Sequence, residues 1–75
     1  MIKDEEKFQV GDYIGFNIFG TDLRGTGEVL GKALEGICPM WIVLIDERPT
    51  DTMRKIKEKA LIIQENFMTL MERKK

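Results

Sequence analysis

Hydrophobic and polar residues alternate near the start of the chain. In KFQVGDYIGFNIFG, Val10, Ile14, Phe16 and Ile18 fall on one face, and Tyr13, Gly15, Asn17 and Phe19 on the other. This period of two predicts a strand beginning near Phe8. Gly11-Asp12 marks a strand entry or tight turn, because glycine tolerates positive φ and aspartate bonds nearby backbone. Gly20-Thr21-Asp22 is a second turn signal, short enough for a hairpin, so LRGTGEVLGKAL is expected to run back antiparallel. After Gly36, ICPMWIVLID is a nearly unbroken apolar run, the pattern of a strand covered on both faces at the centre of a sheet or barrel.

The C-terminal part supports two patterns. ERPTDTMRKIKEK is polar and charged, with Pro49 and Asp51 as turn formers, and reads as an exposed loop with room for a helical turn. Beyond it, Met53, Ile56, Ala60, Ile63, Phe67 and Leu70 recur at spacings of three and four. With Thr50 or Asp51 as cap, that spacing describes a long amphipathic helix. ALII is also a compact apolar run, and Phe67, Thr69 and Met71 alternate, so Gln64-Glu65-Asn66 would be a sharp turn between two short strands. The chain is read as mainly β, with a β-hairpin sheet plus a long C-terminal helix as the alternative.

RGTGEVLGKA invites a nucleotide-binding reading, which its spacing defeats. A phosphate-binding loop needs glycine five residues before the Gly-Lys pair and a hydroxyl after it. Thr26 and Ala33 occupy those positions around Gly31-Lys32. Gly25, Gly27 and Gly31 instead read as the glycines of a bent strand, thinning one of its faces where the sheet curls.

Length adds a constraint. The 75 residues are expected to form one domain, 1–75, with a thin stability margin. Cys38 is the only cysteine and histidine is absent, which removes intrachain disulfides and argues against a zinc site. Self-association is the remaining way for so small a domain to gain stability. The lone cysteine fits a reducing, cytoplasmic compartment. The acidic, polar MIKDEEKFQV lacks the basic start and apolar stretch of a signal peptide, and no segment suits a membrane span.

Net charge is −1, spread unevenly, with basic residues concentrated from Met53 onward. Arg54, Lys55, Lys57 and Lys59 read either as a solvated surface or as contacts to a phosphate backbone. Trp41 reads first as a core or interface residue whose indole N–H finds a partner, and second as a stacking platform with Tyr13 or Phe19. Met53, Met68 and Met71 suit adaptable packing at an interface. Tyr13, Phe19, Trp41 and Met68 are therefore the candidate partner contacts.

No catalytic arrangement is evident. Histidine is missing, Cys38 has no neighbouring base and reads as a small buried or half-buried hydrophobe, and Asp46 and Glu47 would point to opposite faces of a strand. No enzymatic activity and no cofactor are expected.

The order of elements resembles the small SH3-like β-barrel of about five strands, and within it the Sm-like (LSm) domains. GTDLRGTGEVLG is similar to the bent second strand of that family, WIVLIDE to its third, and LIIQENFMTLM to its closing pair of short strands around a tight turn. KDEEKF stands where Sm domains have a short N-terminal helix. The resemblance implies ring assembly and RNA binding, with Asn66 the one match to the uridine-binding residues. The loop KALEGICPM lacks the family's aspartate–asparagine pattern, and the turn Gln64-Glu65-Asn66 lacks its arginine–glycine pair. The function expected is a non-catalytic, self-assembling binding module, with RNA or single-stranded DNA as ligand, or a protein–protein interaction module without nucleic acid.

Overall fold

The computed structural model describes residues 7–73. The elements run β1 (Tyr13–Asn17), β2 (Arg24–Leu34), β3 (Met40–Glu47), α1 (Asp51–Lys55), β4 (Ala60–Gln64), a 3-10 turn (Glu65–Phe67) and β5 (Met68–Glu72). All strand pairs are antiparallel, in the order β4-β3-β2-β1-β5. β4 and β5 are thus the two outer strands, yet only the three residues of the 3-10 turn separate them in the chain. A connection that short forces the sheet to curl until its two edges lie near each other. The sheet does not close, and the architecture is compatible with a small barrel-like fold.

β2 makes the curl possible. Its first half pairs with β1 while its length from Thr26 to Leu34 pairs with β3, and the β2–β3 ladder is interrupted by three register shifts. Bulges of this kind bend a strand and strengthen its twist. Gly25 and Gly27 lie where backbone approaches backbone: a Cβ at either would collide with the carbonyl oxygen of Glu47 or Leu44, respectively. Gly31 has open space instead. The bulge between Val29 and Gly31 ends the alternation that would have placed all three glycines on one face.

The core lies on the concave side of the sheet. Ile14 and Phe16 from β1, Val29 from β2, Trp41 and Val43 from β3, Ile63 and Met68 from the closing strands are all buried there. Phe8 joins them edge-on against Trp41, with ring centroids 6.1 Å apart. It does so from a turn. β1 starts at Tyr13 and not at Phe8, because Gly11 takes φ 95° and Asp12 folds the chain back onto Gln9. Val10, expected to share a face with Ile14 and Phe16, is 69% exposed as a result.

β3 is interior to the sheet, but only one of its faces is covered. Trp41 and Val43 are buried, whereas Leu44 is exposed and Ile42 half-buried on the opposite face. The unbroken apolar run therefore supplies a core and an apolar outer surface together.

The long C-terminal helix does not form. Its apolar stripe is divided among α1, β4, the turn and β5, with Met53 and Ile63 reaching the core from different elements. A five-residue helix is far too short to be stable alone. Thr50 caps it by accepting from the Met53 N–H at 3.2 Å and also donates to the Asp22 carbonyl at 2.7 Å. Burial of Met53, worth roughly 1.5–3 kcal/mol, anchors it. Arg48 finishes the segment, donating to the carbonyls of Met53, Ile56 and Glu58. The helix expected at KDEEKF falls mostly outside the described residues.

Candidate functional site

The β1–β2 hairpin, the chain after β3 and the β4–β5 turn meet around an open groove of about 410 Å³. Gly15 and Gly25 form part of its floor, and Phe67, Met71 and Pro49 supply apolar walls. Asn17, Arg24, Glu47 and Thr69 contribute polar groups. A Cβ at Gly15 would sit 3.2 Å from the Met71 sulfur, so glycine keeps this part of the groove clear. Asn17, Phe67 and Thr69 also line a neighbouring depression of about 320 Å³, together with Phe19 and Asn66. The two recesses form one continuous surface.

Phe19 is 85% exposed on this surface, held at the tip of a hairpin by Gly20 in a positive-φ turn and by Thr21, whose hydroxyl donates to the Ile18 carbonyl. Asn66 projects from the 3-10 turn nearby. The arrangement offers an aromatic face, amide donors and acceptors, and one charge of each sign. Such a surface suits recognition by stacking and hydrogen bonding.

The other expected site residues are dispersed. Arg54 and Lys55 are exposed on the last turn of α1, and Lys57 and Lys59 follow on the exposed chain leading to β4. Arg54 forms a 3.1 Å ion pair with Asp51 at the surface. None of the four lines the groove or its neighbour. Tyr13 lies half-buried on the outer face, where its hydroxyl is within hydrogen-bonding distance of Thr26 Oγ1 at 2.7 Å and Asp46 Oδ2 at 3.0 Å.

Trp41, read first as a core or interface residue whose indole N–H finds a partner and second as a stacking platform, is a core residue at 3% exposure. Met68, named as a candidate partner contact, is also in the core at 6%. Trp41 Nε1 donates to Glu65 Oε2 at 3.0 Å, and the Lys32 ammonium lies 5.0 Å from its ring centroid. The indole thereby ties β3 to the β4–β5 turn. Cys38, expected to be buried or half-buried, is exposed in the β2–β3 loop. No cluster of three or more metal-binding side chains occurs among the described residues.

Sequence reasoning did not single out Arg24; it weighed Glu47 only as half of a carboxylate pair, Phe67 only as part of a periodic pattern, and Met71 only as adaptable packing at an interface. They lie on three separate stretches of chain that only the curled sheet brings together. The alternation of Phe67, Thr69 and Met71 was visible, but the pattern could not say which face would border a groove.

Asp12 sits in a perturbed electrostatic environment. Its carboxylate is buried and accepts from Arg73 Nε at 3.1 Å, from a terminal Arg73 nitrogen at 2.9 Å and from the Gln9 N–H at 2.8 Å. The Arg73 hydrogen bonds hold its pKa below the ordinary value of 3.8, against the opposing effect of burial, with the Gln9 N–H and the Arg73 charge assisting. Arg73 also donates to the Lys7 carbonyl at 3.1 Å, so the chain after β5 is clasped to the turn before β1.

Fold and surface together define a small, mainly β protein with an open five-stranded antiparallel sheet. Comparison of the chain with known protein families, characterised proteins and solved structures finds no match.

Proposed function

We propose that this protein is a non-catalytic binding module that assembles with copies of itself. The observation that carries the reading is a pair of open sheet edges with apolar side chains beside them. Among the described residues β4 and β5 each pair on one side only, and Ile62, Leu70 and Met71 on them are 58%, 41% and 58% exposed. Unpaired backbone along an edge is a template for another strand, and exposed apolar area beside it favours that pairing. The two short strands joined by a tight turn support the resemblance to Sm-like domains. Light scattering across a concentration series is the test. A mass above one chain that falls on dilution is expected, and a monomer at every concentration overturns the reading.

A second reading, binding of single-stranded RNA or DNA, is favoured by two features. Arg54, Lys55, Lys57 and Lys59 are exposed within one short segment, and Phe19 and Asn66 share a recess. If these four cations contact phosphates, affinity for a labelled oligonucleotide should fall with a log–log salt slope near about −3. Binding that is absent at low salt, or flat with salt, removes it. The opposing candidate, a protein partner without nucleic acid, predicts that flat result.

A further inference from the structure

We infer that the partner covering the β4 edge is a second copy of this chain, paired β4 to β4 about a two-fold axis through Ile62. This rests on the self-assembly reading above and names its geometry. The backbone sets the first constraint. Residues of an antiparallel strand send their N–H and C=O groups to alternate sides. The Ile45 N–H donates to the Lys59 carbonyl, and the Glu65 N–H donates to the Pro39 carbonyl. Odd-numbered residues from Lys59 to Glu65 therefore turn their backbone toward β3. Ala60, Ile62 and Gln64 turn theirs outward, to an edge that pairs with no other strand among the described residues.

That edge is self-complementary. In a two-fold antiparallel pairing, Ile62 meets Ile62 of the partner subunit, and Ala60 meets Gln64 of the partner subunit. Every outward-facing residue of β4 then finds a hydrogen-bonded partner, for about six new backbone bonds across the axis. Continuing the register one step at each end sets Lys59 opposite Glu65 of the partner subunit, which places opposite charges together twice. Side chains agree with the backbone. Ile62 lies beside Ile42 on the outer face, next to exposed Leu44. The pairing would set Ile62 beside Ile62 of the partner subunit and join the two apolar rows edge to edge on the same face of a continuous sheet.

β4 itself lacks three of the usual protections against such pairing. β4 carries no charge and no proline, and its ladder with β3 has no bulge. β5 differs, since its pairing with β1 is irregular and it ends in Glu72. An isologous β4–β4 contact closes after two copies, whereas a β4-to-β5 contact is head-to-tail and builds rings or fibres.

Cross-linking separates these arrangements. In a Cys38→Ser background, which removes the only native thiol, Ile62→Cys should form a disulfide-linked dimer under mild oxidation. The facing Cα atoms would be about 5.5 Å apart, within disulfide reach. Leu61→Cys in the same background should not, because Leu61 would face Ile63 of the partner subunit. Ile62→Lys, confirmed folded by circular dichroism, should weaken dimerisation at least about tenfold by setting like charges face to face. Wild-type protein should scatter as a dimer. If assembly persists but Ile62→Cys does not cross-link and Ile62→Lys does not weaken it, the β4–β4 geometry is wrong while self-assembly stands. A ring of more than two copies likewise overturns the two-fold β4–β4 pairing and leaves self-assembly in place. A wild-type monomer overturns both.

Discussion

Replacing Arg73 with alanine tests how the ends of the described chain are held. The guanidinium bonds a carboxylate whose side chain is only 2% exposed, while the Arg73 side chain is itself 36% exposed. Breaking a fully buried ion pair costs about 3–5 kcal/mol. Water reaches the arginine, so that range must be reduced for screening, and a loss of about 2–3 kcal/mol is expected. In a domain of this size each kcal/mol moves Tm by about 4–8 °C, so Arg73→Ala should melt about 8–24 °C lower. Trp41, buried and the single tryptophan, reports urea unfolding by its fluorescence. Asp12→Asn should cost a similar amount, and the double variant should be much less destabilised than the sum. The acid limb supplies an independent check. Because Asp12 has a folded pKa below its unfolded one, its stabilisation is complete above the unfolded value near 3.8 and is lost as pH falls through the folded value. Wild type should therefore lose this contribution only below about pH 4, and Asp12→Asn should lack that part of the slope. An Arg73→Ala variant within about 0.5 kcal/mol of wild type would refute the reasoning.

Three further outcomes are expected. Gly27→Ala should destabilise by at least about 1–3 kcal/mol, because its Cβ would collide with the Leu44 carbonyl, while Gly31→Ala should change urea stability little. Arg48→Met should leave the sheet folded yet speed tryptic cleavage among Arg54, Lys55, Lys57 and Lys59, since three backbone carbonyls of that segment lose their donor. Trp41→Phe should lower thermal stability by about 1–2 kcal/mol through loss of the indole bond to Glu65 and of packing against Phe8, measured by calorimetry.

Much of the sheet was legible because its signals are local. The alternation of Ile14 and Phe16 against Tyr13 and Asn17, the Gly20-Thr21-Asp22 turn and the apolar run to Ile45 each declare an element within a few residues. The C-terminal segment resisted such reading because spacings of three and four arise both on a helix and on short strands with a turn between them. Core contacts decided it: Ile63 against Trp41 and Met68 against Phe16 are register partners across the sheet. The site was less legible than the fold. Phe19 and Asn66 were named for separate reasons and are brought into one recess. Trp41 and Met68 look the same in sequence whether they face a partner or the core.

By itself the sequence determined which residues are apolar in register, where the chain must turn, and that histidine chemistry and intrachain disulfides are excluded. Tertiary structure alone decided that β1 begins after Asp12, that β3 is covered on one face only, and that β4 lies at an edge with Ile62 outward. The physical reason is the range of the interactions. Periodicity and turn chemistry act between neighbours, whereas burial, groove formation and edge exposure depend on which distant strand arrives alongside, and that is set by bulges in β2 and the short β4–β5 turn.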